Sequence, residues 1–253
     1  MRDLIKVGLA ILISALPVSA RAQGVGVDVP LSNGGVERVL FVASANPRAL
    51  LIMFPGGDGI LDIGDTAATS LLAGNFLVRT LPLWQAQGFA VEVLGSPQNQ
   101  SLVGQRHTAA YAAAVDRAVD FGRTRVNAPV WLVGTSAGTT GAANAAAALG
   151  GKVAGLVLTS SITRQTGETV FDTNLGAISV PALVVANQGD TCSITPPEDA
   201  PVLASHLARS PRKEVMLVES STFNSKPCEA LSPHGFYGIE PMVVQRIADW
   251  IKR

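Results

Sequence analysis

Apolar residues follow two alternating patterns along most of the chain. Short continuous apolar runs are typical of strands buried on both faces, and longer segments carry apolar residues at helical spacing. The runs predict strands at 36–43, 49–54, 89–94, 130–133, 154–159, 182–186 and 214–218. The spacing predicts helices at 75–87, 108–121, 141–149, 200–208 and 241–252. Strands that alternate with helices need crossover connections, so we expect an α/β fold with a mostly parallel central sheet.

The chain has no internal repeat and no long linker, and its 253 residues fit a single domain. We therefore expect one domain over residues 23–253. Residues 160–178 are polar and irregular, which makes them the best candidate for a small cap or rim.

The first 22 residues have the pattern of a cleaved secretion signal. Arg2 and Lys6 give a basic start, and an apolar run at 7–16 is too short to span a bilayer. Small residues at Ala20 and Ala22 fit a signal peptidase site, so we expect cleavage after Ala22 and a periplasmic or secreted protein. The alternative is a retained N-terminal anchor helix.

Charge and composition limit the classes of binding partner that we expect. The 19 basic and 19 acidic residues are balanced and unclustered, which argues against nucleic acid as a partner. We expect a small-molecule substrate, no cofactor or metal, and no membrane association once the signal is removed; the oligomeric state stays open. Export would allow Cys192 and Cys228 to form a disulfide, the alternative being two separate buried thiols.

The stretch 130–138 has the pattern of a strand, a tight turn and a helix start. Its apolar run ends at Gly134, Ser136 follows two residues later, and Gly138 two beyond that. Such a turn needs small flanking residues because the strand and helix backbones pass close together, and it holds the serine strained at the carboxyl edge of the sheet. The spacing predicts that Ser136 is a nucleophile. The alternative is a glycine-rich turn that only packs.

A serine hydroxyl needs a base within hydrogen-bond reach, and the base needs an orienting carboxylate. Among three histidines, His234 lies in a loop after the last predicted strand, at the same sheet edge as Ser136. His107 opens a helix, where a surface role is favoured over a place at the substrate entrance. His206 lies within a predicted helix and is interpreted as solvated or packed.

Asp190 is the predicted carboxylate, because it follows the buried run at 182–186 after a short loop. Asp172 lies in the polar segment, and Glu198 and Asp199 are interpreted as helix-start residues. A bridge between Cys192 and Cys228 would tie the loop of the acid to the loop of the histidine and fix their spacing.

Acyl transfer also needs donors for the negative charge that develops on the substrate oxygen. The N–H of Ala137 lies at the helix start beside the nucleophile. The glycine-rich loop after strand 49–54 lets backbone approach a ligand, so Gly57 is the expected second donor and Asp58 the next choice. The alternative is a plain strand-to-helix turn.

Taken together, the loop Pro55-Gly56-Gly57-Asp58, the motif around Ser136, and the order Ser136, Asp190, His234 resemble the α/β-hydrolase superfamily. The chain is most similar to small secreted bacterial esterases with a dienelactone-hydrolase-like core. The resemblance implies a sheet with helices on both faces, a minimal cap, and these three residues as the triad. Pro55 departs from the family, in which many members carry histidine there, and this affects the expected loop geometry.

We therefore expect an exported serine hydrolase that cleaves carboxylic esters through an acyl-enzyme. The same triad would serve amide, thioester or acyl-transfer chemistry, and a non-catalytic periplasmic binding protein on the same fold is a further alternative. A dinucleotide-binding oxidoreductase is disfavoured, because residues 158–161 hold no acidic side chain for a ribose.

Overall fold

The computed structural model describes residues 24–65, 71–165 and 167–253. Its core is one eight-stranded sheet in the order β1-β2-β4-β3-β5-β6-β7-β8. The strands are β1 (Val25–Pro30), β2 (Val36–Val42), β3 (Ala49–Phe54), β4 (Phe89–Pro97), β5 (Val130–Thr135), β6 (Gly155–Thr159), β7 (Ala182–Asn187) and β8 (Lys213–Val218). Strands β1, β2 and β4 pair antiparallel, and all other pairs are parallel. The α/β fold with a mostly parallel sheet is confirmed.

Helices cover both faces of this sheet. They are α1 (Phe76–Arg79), α2 (Leu81–Ala86), α3 (Ala109–Arg125), α4 (Gly138–Leu149), α5 (Ala200–His206) and α6 (Glu240–Ile251). Residues of α3, α4 and α5 share one apolar core with the sheet, and residues of α1, α2 and α6 share the other. Strands β3 and β5 are buried along their whole length because they lie between these two layers.

The edge of the sheet was only partly predicted. β1 was not expected from the sequence; it pairs antiparallel with β2 and has one fully buried side chain, Val29. The predicted end of the strand at residue 94 is wrong, since β4 runs on to Pro97. A register shift between Glu37 and Val39 of β2 accommodates the added residues, and Pro97 stands at the strand end, where its missing N–H matters least.

The predicted helix 75–87 is two short helices that meet at Thr80. Pro82 lacks the N–H that would continue the hydrogen-bond ladder, and the Phe76 carbonyl accepts from both the N–H and the hydroxyl of Thr80. Helix α3 begins after Thr108, whose side chain accepts from the Tyr111 N–H, and it extends four residues past the predicted end.

Segment 160–178 does not form a rim over the sheet edge. Its apolar residues Val170, Leu175 and Ile178 are buried in the core shared with α4, where two short 3₁₀ turns place them. No described residue of this segment lines the cleft around Ser136.

The expected signal peptide and its cleavage after Ala22 lie outside the described residues. Within the described ranges, no helix combines the length and the apolar character needed to cross a bilayer.

Candidate active site

Ser136 lies at the carboxyl end of β5, in a backbone conformation that non-glycine residues rarely adopt. Its φ is 54°, and its N–H donates to the Thr159 carbonyl at 3.0 Å. The Ser136 carbonyl accepts from the N–H of Thr139 at 2.9 Å and from its hydroxyl at 2.6 Å. Strain of this kind costs about 1–3 kcal/mol and persists only where the surroundings impose it. Here β6 and the first turn of α4 hold the serine in place.

The glycines around Ser136 are required by close backbone approach. A Cβ atom on Gly134 would lie 2.8 Å from the Gly138 carbonyl oxygen, and one on Gly138 would lie 2.0 Å from the Phe54 carbonyl oxygen. A Cβ on Gly56 would lie 2.8 Å from the Cβ of Ser136. The small residues at these positions therefore let β3, β5 and α4 converge on the serine.

His234 and Asp190 are in direct contact. The His234 Nδ1 lies 3.0 Å from the Asp190 Oδ2, and both side chains are buried. The other carboxylate oxygen, Oδ1, accepts from the Cys192 N–H at 2.9 Å. Thr195 joins the pair, because its hydroxyl lies 3.0 Å from Asp190 Oδ2 and 3.0 Å from His234 Nδ1. Thr195 was not expected from the sequence.

The loop that carries His234 is anchored to the ends of two strands. The Ser160 hydroxyl, after β6, donates to the His234 carbonyl at 2.7 Å. The Asn187 side chain, at the end of β7, donates to the Pro233 carbonyl at 2.8 Å. The His234 N–H donates to the Ser232 hydroxyl at 3.2 Å. These bonds fix the backbone from which the imidazole projects.

A cleft of about 330 Å³ joins these elements at the carboxyl edge of the sheet, near the small end of the range for ligand sites. Ser136 and His234 both line it, together with Gly57, the stretch 72–76 and the stretch 228–230. Within the described residues, the serine hydroxyl makes no hydrogen bond to the imidazole. Such bonds are often long before substrate binds, so the shared cleft is the informative observation.

Two of the three predicted oxyanion donors border the cleft or the serine. Gly57 lines the cleft at φ 62°, and Ala137 follows Ser136 as the half-buried residue before α4. Their backbone N–H groups donate to no acceptor in the described parts of the chain. Asp58 does not line the cleft; its exposed carboxylate accepts from the Ile60 N–H at 3.0 Å.

The structure joins Cys192 and Cys228 by a disulfide. Cys192 is two residues from Asp190, and Cys228 lines the cleft. The bond thus connects the loop of Asp190 with the loop that leads to His234. The side chains of Asp190, Cys192 and His234 bring their donor atoms within 4.8 Å, but that sulfur is bonded to Cys228 and offers no thiolate to a metal.

The other candidate side chains lie away from the cleft. The His107 Nδ1 lies 3.4 Å from the Glu168 carboxylate, and the His206 ring packs against Phe171. The Asp199 carboxylate pairs with the Arg164 guanidinium, which holds the pKa of Asp199 below its usual range. Asp172 accepts from the N–H and hydroxyl of Thr169.

Comparison with known proteins gives matches of structure only. No protein-family model and no curated protein sequence matches this chain. An esterase from Pyrococcus furiosus, Pf2001, is similar with a TM-score of 0.66 and 11% identity, over 96% of this chain and 95% of that one. Dienelactone hydrolase from Anabaena variabilis is similar with a TM-score of 0.62 and 14% identity, over 91% of this chain and 97% of that one.

An α/β serine hydrolase homologue from Coxiella burnetii is similar with a TM-score of 0.61 and 14% identity, over 88% of this chain and 95% of that one. Similarity at this identity is a similarity of fold. The architecture of the sheet agrees with this similarity, and so does the resemblance inferred from the residues. The chain has the α/β-hydrolase fold.

Proposed function

We propose that this protein is a serine hydrolase that cleaves small carboxylic esters. The observation that carries the proposal is the placement of Ser136, strained at the nucleophile turn, in one cleft with His234, whose Nδ1 contacts the buried Asp190. Three side chains distant in sequence converge there, as acyl transfer requires. Structural neighbours named as an esterase and a dienelactone hydrolase support ester chemistry.

The reaction proceeds through an acyl-enzyme. The Ser136 oxygen attacks the ester carbonyl carbon while His234 Nε2 takes the hydroxyl proton. The tetrahedral intermediate collapses, the bond to the alcohol oxygen breaks, and His234 returns the proton to that oxygen. A water molecule then attacks the acyl-enzyme, with His234 again accepting and returning one proton, and the carboxylic acid leaves. Asp190 keeps the imidazole oriented and stabilises its charged form.

The N–H groups of Ala137 and of the loop at Gly57 stabilise the negative oxygen of each tetrahedral intermediate. Backbone donors suit this role because they are held in place before the charge develops. The small cleft, walled by residues such as Ala73, Gly74 and Ala230, fits short acyl groups.

Replacement of the proposed nucleophile tests this function. Ser136→Ala should lower kcat for a short-chain p-nitrophenyl ester by about 10⁴-fold or more, because the hydroxyl that forms the acyl-enzyme is gone. A fluorophosphonate probe should label the wild type at Ser136 and leave the variant unlabelled. Ser221→Ala, at an exposed loop serine, is the matched control and should behave as wild type.

Retained turnover in Ser136→Ala would remove Ser136 from the mechanism. A folded wild type that neither hydrolyses the ester series nor takes the label would instead favour a binding protein on this fold.

We also propose that the protein is exported. A disulfide between Cys192 and Cys228 is stable in an oxidising compartment, and the basic start followed by a short apolar run suits a signal peptide. Intact mass measured on protein from the periplasm or medium should match a chain that starts at Gln23 with both cysteines oxidised. A full-length mass, or two free thiols, would contradict the proposal.

A further inference from the structure

Arg106 is a buried cation without an ion pair. It lies in the loop between β4 and α3, and only 1% of its surface is exposed. No carboxylate of the described residues is within ion-pair distance of its guanidinium. Instead, its Nη2 donates to the Gly57 carbonyl at 2.9 Å. Burying a guanidinium costs free energy unless its hydrogen bonds compensate. A buried arginine that donates to one backbone carbonyl therefore suggests that this contact has a function.

The backbone of Arg106 is fixed from two sides. Asn144, on the helix that begins beside Ser136, donates from its side chain to the Arg106 carbonyl at 3.0 Å and to the Thr108 carbonyl at 2.8 Å. Glu168 accepts from the N–H groups of Gly104 at 2.9 Å and His107 at 3.2 Å. The backbone that carries the Arg106 side chain is thus anchored to the helix that follows the nucleophile turn.

Burial and nearby groups act in opposite directions on the pKa of Arg106. Burial lowers the pKa of the guanidinium, while Tyr111 and the carboxyl groups of Glu168 and Asp58 oppose that effect. An arginine stays charged at neutral pH under such conditions. The hydrogen bond to Gly57 is therefore charge-assisted and stronger than one between neutral groups.

The contact acts on a glycine of the proposed oxyanion loop. Gly57 has no side chain to restrict its backbone, and its φ of 62° is one of several conformations open to glycine. Since the described peptide bonds are all trans, the Asp58 N–H points away from the carbonyl that Arg106 holds. The Leu102 N–H fixes the next carbonyl, that of Asp58, at 2.8 Å. Two successive peptide planes are therefore anchored by the segment 102–106.

We propose that Arg106 is a positioning residue that holds the loop at Gly57 with its backbone donors directed at the oxyanion. The inference rests on the proposed ester hydrolysis. Arg106 does not line the cleft. It acts by holding the Gly57 carbonyl, which fixes the backbone of the glycine whose N–H faces the cleft in the proposed mechanism.

The test compares Arg106→Met and Arg106→Lys with the wild type and with Arg212→Met. Arg212 is the matched control, because its guanidinium also donates to a backbone carbonyl, that of Trp250, and stacks on that ring away from the cleft. Loss of one oxyanion donor lowers kcat by about 10²–10³-fold, so a misdirected loop in Arg106→Met should lower kcat by roughly 10–100-fold with little change in KM. Arg106→Lys keeps a charge on a shorter stem and should lose less.

A transition-state mimic separates positioning from general destabilisation. A trifluoromethyl ketone that adds to Ser136 forms an oxyanion, so its affinity should fall in Arg106→Met by the same factor as kcat/KM. Thermal unfolding of each variant shows that measurements are made on folded protein. If Arg106→Met does not fold, the test rests on Arg106→Lys. A parallel loss of kcat and ketone affinity in that variant would support the role of Arg106, and no loss of either would contradict it.

An active wild type combined with unchanged kcat and ketone affinity in the folded Arg106 variants would overturn the role of Arg106 alone. An equal loss in Arg212→Met would also overturn it. A wild type that neither hydrolyses esters nor takes the fluorophosphonate label would overturn the proposed function, and this role with it.

Discussion

The hydrogen bonds around His234 determine which ring nitrogen carries the proton. Asp190 as a carboxylate can only accept, so the contact at 3.0 Å requires a proton on Nδ1. The Thr195 hydroxyl has one proton, which it donates to the same carboxylate oxygen, and it therefore also faces Nδ1 as an acceptor. Two acceptors thus fix the Nδ1–H tautomer and leave Nε2 free for the proton transfer that we propose from Ser136.

Single residues could be predicted where the sequence carries a local signature. Ser136 stands in a glycine-flanked turn, and Asp190 and His234 follow predicted strands, so their place at one edge follows from the alternation of elements. Thr195 carries no such signature, because a threonine five residues beyond an aspartate is unremarkable. Arg106 lies in a polar loop, where an arginine is expected to be exposed rather than buried.

At the scale of elements, the long apolar runs predicted the strands correctly. Predictions of where elements end or lie were wrong where a local hydrogen bond or a tertiary contact overrides the sequence pattern. Helix 75–87 is interrupted because Pro82 lacks the N–H that a continuous helix would need at that position. Segment 160–178 was expected as a rim because its composition is polar. Its few apolar residues, spaced by two short 3₁₀ turns, reach the core instead, and only tertiary packing reveals that placement.

The disulfide is predicted to stabilise the site as well as the fold. Cys192→Ser/Cys228→Ser should lower the free energy of unfolding, because the bond closes a loop between residues 36 positions apart. The chain-entropy model gives about 4 kcal/mol for a loop of this size. We also expect a lower kcat, since the loops of Asp190 and His234 lose the link that fixes their spacing. Urea unfolding and ester turnover measure the two effects.

Reduction of the wild type provides the control for this variant. Dithiothreitol should shift wild-type stability and kcat to the values of the double variant and leave the variant unchanged. If the double variant kept both wild-type stability and wild-type turnover, the proposed coupling of the two loops would be wrong.

At the scale of the whole molecule, the candidate site depends on topology. The loops after β3, β5, β7 and β8 meet because those strands are parallel and end at one edge of the sheet. That convergence could be predicted from the order of elements alone. The sequence did not reveal that two acidic side chains are buried on the sheet face covered by α3. Glu37 and Glu92 stand in strands that otherwise supply apolar core residues.

These two carboxyl groups have no hydrogen-bond partner within the described residues. Burial raises the pKa of Glu37 to about 8. Burial raises the pKa of Glu92 well above its usual range as well, the Glu37 charge adds to this, and Arg125 opposes it. A Cβ atom on Gly122 of α3 would lie 2.6 Å from a Glu92 carboxyl oxygen, so α3 packs directly against this carboxyl group.

The raised pKa values predict that the fold loses stability as pH rises. In the folded protein Glu37 stays protonated up to about pH 8, whereas in the unfolded chain it ionises near its ordinary pKa of 4.5. The stabilising contribution is complete below pH 4.5 and declines as pH rises through 8. Glu37→Gln mimics the protonated form at every pH. Its free energy of unfolding should exceed that of the wild type by a margin that grows by about 3 kcal/mol between pH 5.5 and 8.

Urea unfolding at several pH values between 5 and 9 measures this margin. Glu219→Gln is the control, because Glu219 is exposed and its substitution should change the free energy of unfolding little. A constant margin for Glu37→Gln across this range would mean that Glu37 ionises in the folded protein as it does in the unfolded chain. Glu37 would then not be protonated at neutral pH.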